Sequence, residues 1–143
     1  WFGALLGTLF PDIDYLLYVY VIKPNESVSR EAAALISQKK VVKTWDILIG
    51  GFDDKRGLLI HNASFQALFL VFAVWIITSG NLMGMGLVLA FMLHLILDQV
   101  GDLLETGKFD KWFEGFPVYL DLEQKRWFLV GNVLVFLFFG FFF

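Results

Sequence analysis

The sequence predicts an all-α fold: a polytopic integral membrane bundle of about four transmembrane helices, with one or two amphipathic helices at the interface. Three observations predict it. The mean hydropathy is +0.70. Of the 143 residues 58% are hydrophobic, where soluble domains carry roughly 45–50%. The apolar residues are also gathered into four long runs separated by polar stretches. Such a chain has more apolar surface than one soluble core of this size could hide, and helices satisfy their own backbone in lipid. A single transmembrane domain over residues 1–143 is expected.

The first run, Trp1–Ile22, is broken by Pro11, Asp12 and Asp14. Trp1–Phe10 reads as the end of a spanning helix, Pro11 opens a new turn, and Tyr15–Ile22 follows as a short apolar or interfacial stretch. The second run, Gly57–Ser79, and the third, Leu82–Gly101, each have about the 20 residues needed to cross a bilayer. Ser79-Gly80-Asn81 joins them in a tight turn. The fourth run begins at Trp127 and continues to Phe143. Both ends fall inside apolar runs, so a longer natural chain is expected, and residues 1–10 hold no charged leader.

Two polar loops, 23–56 and 102–126, separate these runs. Within the first, Ser29–Gln38 reads as an amphipathic helix with Ser29 as N-cap. Asn25-Glu26-Ser27 matches a glycosylation sequon, a pattern common by chance. If the last three runs all span, both loops lie on one side together with all 11 Lys and Arg residues. The positive-inside rule makes that side cytoplasmic, in the inner or plasma membrane of a prokaryote. The absence of Cys excludes disulfides, thiolate metal sites and Cys nucleophiles. With a net charge of −3 and no basic stripe, nucleic acid is not an expected partner.

Five ionisable residues stand inside or beside the apolar runs: Asp12, Asp14, His61, His94 and Asp98. Such groups are costly in lipid and usually face a partner, a cavity or an ion. His94 and Asp98 are four apart and share a helix face. Asp12 and Asp14 bracket Ile13 just after the helix break. The topology brings all five to the loop side, at one depth. Two His and three Asp suit a divalent ion such as Zn2+, Mn2+ or Fe2+, and an ion with an open position would supply water activation for hydrolysis.

Each residue also has a plainer reading. A His in an apolar helix is more often a packing residue, His94 and Asp98 can simply bond each other, and Asp12 can cap the helix that follows. Asp102, one turn past Asp98, reads as solvated. Arg56 reads as a headgroup anchor or as a binder of substrate phosphate. Lys39, Lys40 and Lys43 read as a solvated or lipid-facing surface.

The strings GTLFPDIDY, RGLLIHN and HLILDQVGD resemble, in order, three blocks of the membrane-bound metal-dependent hydrolase family, which includes LexA-binding, inner-membrane-associated hydrolases. The resemblance covers about residues 3–102. It implies a metal site of Asp12, Asp14, His61, His94 and Asp98 holding Zn2+ or Mn2+. Tyr15 stands where the family often has His, Arg56 replaces the first His of the middle block, and Ile60 and Asn62 replace its Thr and Ser. The expectation is a membrane metal-dependent hydrolase acting on a lipid or amphiphilic phosphoester at the cytoplasmic interface. One of Asp12, Asp14 and Asp98 would be general base, with Arg56 on the phosphate. The alternatives are a non-enzymatic scaffold that binds a protein partner through loops 23–56 and 102–126, and a component of an ion or proton pathway.

Overall fold

The computed structural model describes residues 1–50, 57–107 and 110–141. Those residues form helices and turns, with no strand among them. In chain order the helices are α1 (Phe2–Leu9), α2 (Ile13–Leu17), α3 (Ser27–Ser37), α4 (Val41–Gly50), α5 (Ala63–Thr78), α6 (Leu82–Thr106) and α7 (Leu122–Phe141). A π-helical turn, Tyr18–Ile22, follows α2, and a 3-10 turn, Asp110–Phe113, precedes α7. Phe2–Ile22 and Leu82–Glu105 are long and apolar enough to cross a membrane, whereas α5 is apolar but shorter. The chain divides into two compact units, Trp1–Pro11 with Ile60–Phe143, and Asp12–Leu59.

In the larger unit α1 packs on α6 through glycine. A Cβ on Gly3 would stand 1.9 Å from the Met83 carbonyl oxygen, and one on Gly7 would stand 2.1 Å from that of Leu87. The Gly3-x-x-x-Gly7 pair therefore lets the two backbones touch, as small residues do between helices in lipid. Helices α5 and α6 form a hairpin. Its turn uses Gly80 at a positive φ of 71°, and the Asn81 side chain caps α6 by accepting from the Met83 and Gly84 amides. Along the hairpin Phe69 stacks on Phe91 with ring centroids 4.3 Å apart, and Gln99 donates to Gln66 over 2.7 Å. Ala73, Ile77, Met85, Val88, Met92 and Phe139 form the apolar core that ties α7 to the pair.

Several boundaries differ from the sequence reading. The second run was expected to be helical from Gly57, but α5 starts at Ala63. Gly57 takes a φ of 91°, and the Asn62 side chain caps the helix by accepting from the Ser64 amide. Helix α6 continues past Gly101 to Thr106, where Gly107 in the left-handed region ends it. Helix α7 begins at Leu122, five residues before Trp127. There the Asp121 carboxylate accepts from the Gln124 amide, while the Gln124 side chain accepts from the Asp121 amide, a reciprocal capping box.

The smaller unit packs Tyr15, Tyr18, Val19, Ala32, Leu48 and Leu58 into one core. Its first loop holds two helices instead of the single Ser29–Gln38 helix expected. Helix α3 starts at Ser27 behind Glu26, so Ser29 is a buried residue of its first turn, not its cap. Helix α4 turns Thr44 and Leu48 inward, four residues apart on one face. Tyr15 meets Trp45 edge to face, with centroids 6.1 Å apart. The Tyr18 hydroxyl donates to Glu26 over 2.6 Å, and Lys23 pairs with the same carboxylate at 3.0 Å. The Tyr18 bond first, and the Lys23 bond second, hold the Glu26 carboxyl below its usual range. The Glu26 bond raises the Lys23 ammonium in turn.

Candidate metal centre

His61 lies just ahead of the α5 cap, not one turn inside the helix. Its neighbour Asn62 is held from two directions: Oδ1 accepts from the Ser64 amide, and Nδ2 donates 2.8 Å to the Glu114 carbonyl. That double anchor fixes the backbone from which the imidazole projects. His94 and Asp98 lie on consecutive turns of α6. The Asp98 Oδ2 atom is 3.0 Å from His61 Nε2 and 3.5 Å from His94 Nε2. One donor atom from each of the three residues lies within 4.8 Å of the others.

Aromatic side chains close behind His61. Its ring packs against Trp112 at 5.6 Å and against His94 at 5.9 Å between centroids. Trp112 is buried, and its Nε1–H donates 2.6 Å to Asp102 Oδ2. Lys111 donates 2.7 Å to the other oxygen of that carboxylate. Asp102, expected to be solvated, is instead buried and doubly bonded. The sequence reading missed Trp112, and the one available signal was a tryptophan within a polar loop.

In front of the cluster is a cavity of about 170 Å³ lined by Thr8, Ala90, Leu93, His94, Leu97 and Asp98. The Thr8 hydroxyl donates to the Ala4 carbonyl one turn back. His94 and Asp98 are the ionisable groups of the lining, and their side chains are 16% and 30% exposed while that of His61 is 1% exposed. The site is thus closed on the His61 side and open on the α1–α6 side.

Of the sequence-predicted site, His61, His94 and Asp98 stand together. Asp12 and Asp14 belong to the smaller unit. Asp14 is fully buried there, and its Oδ1 accepts from the Leu59 amide over 3.0 Å. Asp12 takes the N-cap position of α2 without a side-chain capping bond. Arg56 lies outside the described residues.

The donor chemistry fits a divalent ion. Around a tetrahedral ion with bonds of about 2.1 Å, ligand atoms lie roughly 3.4 Å apart. The two spacings from Asp98, 3.0 and 3.5 Å, bracket that value, and the donor atoms of the two histidines lie within 4.8 Å of each other. Two imidazoles and one carboxylate also leave a fourth position for a water or substrate oxygen, as catalytic zinc sites do. No family model, curated protein or solved structure matches the chain.

Proposed function

We propose that the chain is a metal-dependent hydrolase of a prokaryotic inner or plasma membrane, acting on a lipid or amphiphilic phosphoester near the cytoplasmic interface. In this reading α1, α5, α6 and α7 are its spans, and His61, His94 and Asp98 hold one Zn2+ or Mn2+ ion. The single observation that carries the proposal is the convergence of three donor atoms within 4.8 Å beside an open cavity.

A divalent ion held by these residues would supply Lewis acidity toward a phosphoryl oxygen and a nucleophilic water at neutral pH. The chain's own residues do the positioning. Trp112, itself held by Asp102, packs against one side of the His61 ring and limits its movement. Ala90, Leu93 and Leu97 wall the cavity with hydrocarbon, so charge on a bound substrate meets little competing water.

The test is the metal content of the detergent-purified protein, measured by elemental mass spectrometry beside a His94→Ala/Asp98→Ala variant. About one ion per chain, lost in the variant, is expected for a three-ligand site. A protein that takes up no ion, even after incubation with Zn2+ and Mn2+, sinks the proposal.

The 3.0 Å contact between His61 and Asp98 favours a second reading. An imidazolium and a carboxylate at that distance make a stable pair without a metal, and the cluster is then a structural or proton-relay network. The same measurement separates the two.

A further inference from the structure

Resting on the membrane setting proposed above and not on the metal site, we infer that α4 is an anchor for an anionic lipid surface. Val41, Val42 and Trp45 enter the headgroup boundary, and Lys39, Lys40 and Lys43 meet the lipid phosphates. Three observations carry this inference.

The first is an exposed apolar face. Helix α4 lies outside the candidate spans, yet Val41, Val42 and Trp45 are 72%, 75% and 40% exposed. At 3.6 residues per turn the three share roughly 100° of the helix circumference. Thr44 and Leu48 mark the buried side, roughly a quarter turn away. The helix thus has one side in its own core and a second, apolar side turned outward.

The second is charge. Lys39, Lys40 and Lys43 are exposed, with Lys40 donating to the Gln38 side chain over 2.6 Å. Among the described residues no carboxylate pairs with any of the three. Residues 39–46 hold these three cations against one acid, Asp46. Lys43 leaves the helix on the side roughly opposite the apolar face. When the apolar side of an interfacial helix lies at the acyl boundary, its basic side stands among the headgroups. Cations above an apolar face match a surface that is anionic above and apolar below, which is an acidic bilayer.

The third is location. Leu48 shares a core with Tyr15, Tyr18 and Val19, and Trp45 meets Tyr15 edge to face. Those three partners all belong to the candidate span Phe2–Ile22. The same unit also exposes Leu16, Tyr20 and Val21 of that span. Helix α4 is therefore fastened to the segment that the membrane setting brings to lipid, so it loses little freedom on docking. Trp45 is the residue type that anchors chains at such an interface.

The test uses the absence of Cys from the chain, which lets a nitroxide on Val42→Cys report this face alone. The full chain is placed in nanodiscs of phosphatidylcholine, or of an equal mixture with phosphatidylglycerol. Collisions of the label with oxygen and with a water-soluble nickel chelate are compared. In the mixture the label is expected to shift toward oxygen-rich, chelate-poor surroundings. Lys39→Gln, Lys40→Gln and Lys43→Gln should each lower the ratio of immersed to water-exposed label about fivefold, and molar salt should lower it too. The response should persist in the His94→Ala/Asp98→Ala variant, which separates it from the metal site. Equal immersion in both bilayers, or immersion insensitive to the lysine variants, overturns the inference. A label that stays in water in both also overturns it and leaves the face to a protein partner. A second nitroxide on Leu134→Cys of α7, a position 61% exposed, should find oxygen-rich surroundings in both bilayers. If it is in water, the membrane setting itself fails, and this inference fails with it.

Discussion

Trp112 reaches out of a polar loop to donate its indole N–H to Asp102 over 2.6 Å, and in doing so lays its ring against His61. One tryptophan therefore ties the loop, the end of α6 and a candidate metal ligand together. Trp112→Phe keeps most of the ring but removes the bond. The Asp102 carboxylate then keeps Lys111 and loses a buried donor, at a cost of about 1–3 kcal/mol. Zinc affinity is expected to fall about tenfold, read by competition with a chromophoric chelator. An unchanged affinity would make Trp112 a packing residue only.

The α1–α6 seam predicts a contrast between glycines. Gly7→Ala places a methyl carbon 2.1 Å from the Leu87 carbonyl oxygen and must force the helices apart, costing about 2 kcal/mol or more. Gly101→Ala meets nothing within 4 Å, and in mid-helix it should stabilise by roughly 0.5–1 kcal/mol. Thermal unfolding of the two variants in detergent should shift in opposite directions.

The capping box of α7 predicts a local effect. Asp121→Ala removes the acceptor of the Gln124 amide and should cost about 1 kcal/mol. Hydrogen exchange is the suitable probe. Amides in the first turn of α7 should exchange faster, while those near Phe139 keep their protection.

Glu26 predicts a pH dependence. Its carboxyl is depressed by the Tyr18 hydroxyl first and by Lys23 second, so the folded state binds its proton less readily than the unfolded one. The stabilisation is therefore present above the ordinary glutamate value and lost as pH falls through the folded value. Carbon-detected NMR titration should place Glu26 below an exposed glutamate, and Tyr18→Phe should bring it back toward the ordinary value.

Periodicity was the most legible signal. His94 and Asp98 announce a shared face because four residues span one helical turn, and α6 delivers it. His61 was less legible. Hydropathy alone runs smoothly from Gly57 into α5, whereas the Asn62 cap decides where the helix starts. The same bias hid the Asp121–Gln124 box and delayed α7 to Trp127. Helix α4 was masked by Lys39, Lys40 and Lys43, whose charges outweigh a buried face as narrow as Thr44 and Leu48. Trp112 and Asp102 meet across a loop, and no spacing rule joins a loop tryptophan to a helix carboxylate.

The Gln66–Gln99 bond bears on how the protein is made. The two amides are 33 residues apart in the chain, and a ribosome adding 5–20 residues per second delivers the second roughly 2–7 s after the first. If α5 entered lipid alone, it would carry a bare amide through that interval. In the membrane setting proposed above, the three-residue turn at Ser79–Asn81 lets the hairpin wait and partition as a pair, with its amides already bonded. Lengthening that turn would therefore disturb biogenesis before it disturbed the finished fold.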